Sequence, residues 1–244
     1  MVWFLNKKIR IDSRESLEKA ALTLGFLPFF PNKVKGLSVE EMCSPGLLFG
    51  GNYDEGCWEW KGPVIRRGTT AYGKFFNRKA GFVSLELLPH FLNYRRAIYP
   101  VKDASTEEML LEIIKENDSL TSTELKRLIF SDYERTQWDD LPVFSSQLMK
   151  ESKKEKTRKS LEGPLQRLQM GGWIVISDFE YKTTKRGERY GWGVARYSTP
   201  ENIFGGKISL DSEVSPQKSK DILLQEIHKR WKSGSLKDYE SLLK

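Results

Sequence analysis

The chain has 244 residues, a formal net charge of +7 and a sequence pI near 9.2. Hydrophobic residues make up 39% of it, which is enough to fill a core and excludes a wholly disordered protein. No run approaches the roughly 20 apolar residues of a bilayer span, and the first residues place apolar side chains before charges, opposite to a signal peptide. We therefore expect a cytoplasmic protein without a membrane partner.

Charge is unevenly distributed along the chain. Residues 105–149 are acidic in sum, whereas residues 1–104 and 150–195 are basic. Basic blocks favour an anionic partner, and the length of the chain favours two folding units, with no internal sequence repeat between them. Cys43 and Cys57 lack the paired spacing of a zinc site, so we expect free thiols, no metal and no cofactor.

The N-terminal part of the chain begins with a predicted helix. Asp12 or Ser13 can cap it, apolar residues recur at helical spacing, and Gly25 is placed to end it. Two prolines then predict an apolar turn over 26–31. The sequence therefore indicates a helix that is followed by a hydrophobic connector.

An aromatic-rich region comes next. Segments 57–60 and 71–76 are short and rich in aromatic residues, which favours strands, with a hairpin turn at 66–69. A helix is predicted over 85–94, provided that Pro89 lies in its first turn. We therefore expect residues 1–104 to form an aromatic and basic α/β unit.

The middle of the chain follows the order of a winged helix-turn-helix. Apolar stripes predict helices over 106–117 and 156–170, and a capping box at 121–124 opens a short helix between them. Gly163 and Pro164 either kink the third helix or move its start toward Pro164. Two strands, 173–181 and 190–197, then flank a polar tip and predict the wing.

These elements predict an α+β protein in three parts. Residues 1–104 form the N-terminal α/β unit, residues 105–200 form the winged helix-turn-helix packed against it, and residues 201–244 form a linker with a C-terminal docking helix. The predicted partner is double-stranded DNA, because cations precede the third helix and occupy the wing. The alternative is that these charges only solvate the surface. The expected DNA-binding residues are Lys153, Lys154, Lys156, Arg158, Lys159, Lys182, Lys185, Arg186 and Arg189.

Aromatic residues of the first unit interleave with cations. Trp58, Trp60 and Tyr72 are candidates for stacking on bases while the neighbouring cations hold phosphates. The alternative, which we favour, is that these rings fill the core. Gln166 and Gln169 are weaker candidates for contacting base edges, because they lie late on the third helix.

Two stretches carry a family resemblance. Residues 121–128 and 158–175, together with Cys57-Trp58-Glu59-Trp60-Lys61-Gly62 and Tyr72-Gly73-Lys74-Phe75-Phe76, resemble the bacterial DNA glycosylases called AlkZ and their small relatives. The family signature is Gln, an apolar residue, then Gln or Asp, which position the water that attacks the sugar. Arg10-Ile11-Asp12 is similar to it, with Arg in the first place. The resemblance implies Asp12 as the catalytic residue, whereas the residue pattern alone favours a helix cap.

Three hypotheses therefore stand side by side. The first is a DNA-binding winged-helix protein, and the second is a DNA-repair glycosylase, or a lapsed relative of one, that acts on alkylated bases. The third is a protein-interaction scaffold, because winged helices also serve protein interfaces.

Overall fold

The computed structural model describes residues 9–50, 56–135, 161–209 and 212–244. These residues form helices and two antiparallel sheets of three strands each, an α+β architecture. No helix in this part of the chain combines the length and apolar character that crossing a membrane requires.

The first unit contains one sheet and its surrounding helices. Its elements are α1 (Arg14–Leu24), β1 (Phe26–Pro28), α2 (Val39–Met42), α3 (Cys57–Arg66), β2 (Thr70–Phe76), β3 (Lys79–Ser84) and α4 (Leu88–Ile98). The strand order is β1-β3-β2. Ser13, not Asp12, caps α1, because its hydroxyl accepts from the backbone of Ser16, and Gly25 ends the helix at φ 74°.

Helix α3 corrects the strand that was predicted at 57–60 and the hairpin turn at 66–69. Cys57, Trp60 and Val64 are buried along one side of the helix, spaced three and four residues apart. That spacing is helical, and the density of aromatic residues concealed it. The predicted turn at 26–31 is also corrected in part, because residues 26–28 form an edge strand that ends at Pro28, where a missing N–H is tolerated.

Strands β2 and β3 are joined by a very short turn. Phe76 pairs with Lys79, so Asn77 and Arg78 alone make the connection, and both have positive φ, 48° and 66°. Two successive residues in this region define a type I′ turn, which matches the twist of a tight hairpin. This hairpin therefore closes without a projecting tip.

The second unit contains the other sheet. Its elements are α5 (Thr106–Glu116), β4 (Leu120–Thr121), α6 (Ser122–Arg135), α7 (Glu162–Met170), β5 (Val175–Thr183) and β6 (Arg189–Ser198), and the strand order is β4-β6-β5. Gly163 and Pro164 lie in the first turn of α7, where a proline costs no hydrogen bond. Residues 156–160 of the predicted third helix lie outside the described residues.

The described parts of the two units share one topology. Each runs helix, strand, helix, helix, strand, strand, and in each the first strand pairs antiparallel with the third. The third strand also pairs with the second in both units. The two units therefore share one topology, although the sequence contains no internal repeat.

The C-terminal segment packs on the first unit. It contains α8 (Pro200–Phe204), a 3₁₀ turn (Gly205–Lys207), α9 (Pro216–Arg230) and α10 (Leu236–Leu242). Leu223 and Ile227 of α9 and Tyr239 and Leu242 of α10 are buried in the same cluster as the first-unit core. Tyr197 of β6 packs against both this cluster and the core of the second unit.

Arg95 joins these parts from the inside. Its side chain has no exposed surface, and Nε donates to the carbonyl of Met170 at 2.5 Å, Nη1 to Leu243 at 2.8 Å and Nη2 to Phe75 at 3.2 Å. The guanidinium also lies 4.6 Å from the centre of the Tyr99 ring. Burial lowers the pKa of Arg95 to about 10, which leaves it charged at neutral pH.

We expect Arg95→Met to destabilise the whole protein. The substitution keeps most of the side-chain volume but leaves three carbonyls without this donor, and each buried unsatisfied group costs about 1–3 kcal/mol. The free energy of unfolding, measured by urea denaturation, should fall by at least about 3 kcal/mol. Arg14→Met, at an exposed position of α1, is the control and should change it by less than about 0.5 kcal/mol. Equal effects of the two substitutions would contradict the role of Arg95.

Candidate nucleic-acid interface

The hairpin of β5 and β6 carries an exposed group of cations. Its tip closes through a hydrogen bond of 2.8 Å from the backbone N–H of Thr184 to the carbonyl of Glu188, with Gly187 at φ 83°. Lys182, Lys185 and Arg186 are exposed and form no ion pair with any residue in the described part of the chain. Their charge is therefore available to an anionic ligand.

The other predicted DNA-contacting cations are differently placed. Arg189 is exposed, and its guanidinium lies over the ring of Tyr181, 5.0 Å from the ring centre. Five further cations lie outside the described residues, and they are Lys153, Lys154, Lys156, Arg158 and Lys159. Of the predicted interface, the structure therefore describes the cations of the β5–β6 hairpin.

Gln169 does not face a ligand. It is buried, its side-chain oxygen accepts from the backbone N–H of Lys74 at 3.1 Å, and its side-chain nitrogen donates to the carbonyl of Leu165 at 3.2 Å. The oxygen of the amide thus holds α7 against β2, whereas the nitrogen is bonded within α7. Gln166 is half-buried on the same helix.

Two of the three candidate stacking residues lie in the core. Tyr72 is 1% exposed, and its ring packs against Phe82 at a centroid distance of 4.7 Å. Trp60 is 7% exposed on the inner side of α3. Core neighbours cover both rings, as expected from the favoured alternative in which these aromatic residues fill the core. Trp58 is half-buried and lies at the surface.

Trp58 belongs to a group of three rings, which we call the aromatic cluster: Phe49, Trp58 and Trp192. The ring centroids are 5.9 Å apart for Phe49 and Trp58, 6.0 Å for Trp58 and Trp192, and 6.4 Å for Phe49 and Trp192. Trp192 comes from β6, so the cluster joins the two units. Sequence reasoning missed Phe49 and Trp192, although a tryptophan between two glycines near a polar hairpin tip was a signal of exposure.

Lys61 lies beneath the cluster. The side chain is 2% exposed, Nζ donates to the carbonyl of Trp58, and the ammonium lies 3.9 Å from the Trp58 ring centre and 4.4 Å from that of Phe179. Burial lowers the pKa of Lys61 to about 8, an effect that the negative charge of Glu59 opposes. The lysine therefore fixes Trp58 from below and does not reach solvent.

Two contacts attach the hairpin to α3, and a third holds the Tyr181 ring in place within the hairpin. Tyr181 donates its hydroxyl proton to Glu59, and Arg66 pairs with Asp178 at 2.7 Å. Gly193 lets the Tyr181 ring lie against the backbone of β6, because a Cβ at this position would come within 2.8 Å of that ring. These contacts set the orientation of the hairpin toward the first unit.

Asp12 lies at the surface just before the cap of α1. Its carboxylate accepts from the hydroxyl of Ser16 at 3.2 Å, and the neighbouring Ile11 is buried in a parallel bridge with Cys43. Arg10 donates from Nε to the hydroxyl of Ser44 at 2.6 Å. Ile11 therefore anchors the segment and leaves the carboxylate of Asp12 exposed to solvent.

The two cysteines meet behind this segment. Cys43 and Cys57 are free, with their sulfur atoms 2.7 Å apart, and burial raises the pKa of both thiols. Among the described residues, no three His, Cys, Asp or Glu side chains converge as metal ligands do.

A cleft of about 300 Å³ lies away from the hairpin, beside the chain that links the two units. Its polar groups are largely satisfied by the protein, because Arg167 pairs with Glu107 and the Trp173 indole donates to the carbonyl of Tyr99 at 2.7 Å. The cleft therefore offers few open contacts to a polar ligand.

Comparisons with known proteins find a matching family model and a similar solved structure. A family model described as AlkZ related matches residues 11–244. The solved structure of the Streptomyces sahachiroi DNA glycosylase AlkZ is similar to it with a TM-score of 0.51 at 13% sequence identity. The match covers 94% of this chain and 54% of the glycosylase, so the chain spans about half the length of that protein. A comparison with curated proteins finds no match.

We expect Lys61 to make stability depend on pH. The unfolded chain binds this proton below about 10.5 and the folded protein only below about 8, so between these values the unfolded state holds more protons and stability rises with pH. Between pH 8 and pH 10 the free energy of unfolding of the wild type should rise by about 2 kcal/mol relative to Lys61→Met. Urea denaturation at both pH values measures this difference.

Lys19→Met supplies the matched control, because Lys19 is exposed on α1. Its free energy of unfolding should follow the wild type across the same pH range. A Lys61→Met protein with the same pH dependence as the wild type would show that burial does not perturb this lysine.

Proposed function

The chain belongs to the AlkZ-related family, and from that premise we propose that it binds double-stranded DNA through the β5–β6 hairpin and the basic segment before α7. The observation that carries the proposal is the group of exposed hairpin cations, Lys182, Lys185 and Arg186, which have no carboxylate partner among the described residues. Phosphates attract such side chains through charge and counterion release, whatever the base sequence.

The topology of the second unit supports this proposal. We interpret α5-β4-α6-α7-β5-β6 as a winged helix, with the β5–β6 hairpin as the wing and α7 as part of the third helix. In this fold the third helix approaches the major groove while the wing contacts the neighbouring backbone or minor groove. The expected contacts from 153–159 follow from their place in the sequence directly before α7.

We expect Lys185→Glu combined with Arg186→Glu to weaken duplex binding at least tenfold near 100 mM salt. The double variant removes two phosphate contacts and adds repulsion, and each lost contact lowers the dependence of log affinity on log salt by about 0.9. Fluorescence anisotropy with a labelled duplex, repeated over a salt series, measures both quantities.

Lys232→Glu combined with Lys237→Glu is the control, because it makes the same change in charge at exposed positions near the C-terminus. It should leave most of the affinity intact. Equal losses of affinity in the two double variants would show that only the net charge of the protein matters and would contradict a specific role of the hairpin. Binding without any salt dependence would contradict the proposal.

A second candidate function is excision of an alkylated base. The family match and the DNA glycosylase neighbour favour it, and the exposed carboxylate of Asp12 is the group that could orient water for attack on the glycosidic carbon. Because the chain spans about half of the glycosylase, the activity of that longer protein remains a proposal here.

We expect Asp12→Asn to slow release of the alkylated base by about 100-fold, because an amide can position the attacking water but cannot accept its proton. The measurement is the free base released from an alkylated duplex under single-turnover conditions. Glu40→Gln removes an exposed carboxylate on α2 and should retain activity. Full activity of Asp12→Asn would remove this residue from the mechanism.

A further inference from the structure

The aromatic cluster presents an unusually exposed set of rings. Trp192 is 68% exposed and Phe49 is 54% exposed, and Tyr190, two residues before Trp192 on β6, is 46% exposed. Contiguous exposed apolar surface of this kind marks a place where a ligand or partner binds, whereas single exposed apolar residues need no explanation.

The backbone of β6 is shaped around Trp192. Gly191 has φ 75°, and the pairing of β5 with β6 shifts register between Glu180 and Lys182, which marks an irregularity directly beside the tryptophan. Bulges of this kind re-aim side chains and are frequent next to binding sites. Here the ring of Trp192 meets Trp58 of the other unit edge to face, with an interplanar angle of 87°.

The rings beneath Trp192 are held rigidly. Trp58 packs edge to face on the buried Phe29 at a centroid distance of 5.3 Å. The ammonium of Lys61 lies over the Trp58 ring, 3.9 Å from its centre. A ring that is fixed in this way loses little conformational freedom when a ligand stacks on its neighbour. The cluster thus presents the exposed ring of Trp192 on top of the fixed ring of Trp58.

Charge identifies the class of ligand. Lys182 pairs across the hairpin with Tyr190, two residues before Trp192 on β6, and Arg189 comes three residues before Trp192 with its guanidinium over the Tyr181 ring. Proteins that bind unpaired nucleotides combine a stacking ring with nearby cations. Lys182 has no ion-pair partner among the described residues.

We propose that the aromatic cluster binds an unpaired nucleobase of DNA by stacking it on Trp192, while cations of the hairpin contact the adjoining phosphate. This inference rests on the proposed DNA binding. The inference adds that the protein selects DNA that contains an unpaired base. A base inside an intact duplex is covered on both faces by its neighbours, so only a base that has left the stack can use this ring.

The test compares two labelled duplexes of the same sequence, one fully paired and one with a single bulged nucleotide, by fluorescence anisotropy at fixed salt. The wild type should bind the bulged duplex about tenfold more tightly. Trp192→Ala should abolish this preference, so that it binds the two duplexes with equal affinity, and Trp192→Phe should restore most of the preference. Leu236→Ala, which removes a 63% exposed apolar side chain outside the cluster, should behave as the wild type.

The outcomes separate this inference from the DNA-binding proposal. If the wild type binds the paired duplex with steep salt dependence but does not prefer the bulge, or if Trp192→Ala keeps the preference, only the stacking site is overturned. If the wild type binds neither duplex, both proposals are wrong. Trp192→Ala is expected to fold, because most of the side chain is in solvent, and unchanged thermal unfolding confirms that any loss is local.

Discussion

A buried charged group that has no carboxylate partner among the described residues organises this protein. The guanidinium of Arg95 must keep its donors occupied, because an unsatisfied charge in the interior is far more costly than an unsatisfied amide. Its three carbonyl acceptors belong to β2, to the end of α7 and to the residue after α10, so the donors are satisfied only when all three segments are in place. Gln169 adds a second polar tie between α7 and β2. The position of α7 in turn sets where β5 leaves the second unit, and with it the place at which Trp192 meets Trp58.

Local periodicity predicted much of the fold. Helices α1, α4 and α5 and strands β5 and β6 occur where the residue pattern indicated them, and Pro89 lies in the first turn of α4 as required. The strand predicted at 57–60 was wrong. Trp58 and Trp60 have high β propensity, but the burial of Cys57, Trp60 and Val64 on one side favours a helix. The repeated topology could not be read from sequence, because strand pairing depends on contacts between distant residues that differ in the two units.

The candidate site was predicted less completely, for a related reason. The hairpin cations could be named from sequence because a run of polar residues between strands must be exposed. Which aromatic rings lie at the surface depends instead on packing between the units: Tyr72 is covered by Phe82 and Phe179, whereas Trp192 remains in solvent. Charge and aromatic surface are thus divided along one hairpin, with long-range attraction at its tip and short-range contact near its attachment to α3.

Because of the type I′ turn at Asn77 and Arg78, the β2–β3 hairpin has a shorter loop than the β5–β6 hairpin. In the first unit this two-residue connection keeps β2 and β3 largely within the core, so that hairpin serves as scaffold. In the second unit the equivalent hairpin extends through five further residues beyond its last paired positions. The same topology therefore serves two purposes, because one hairpin is buried as a support and the other extends into solvent, where a change of length or charge costs the core little. Variation among relatives should accordingly concentrate in the longer hairpin.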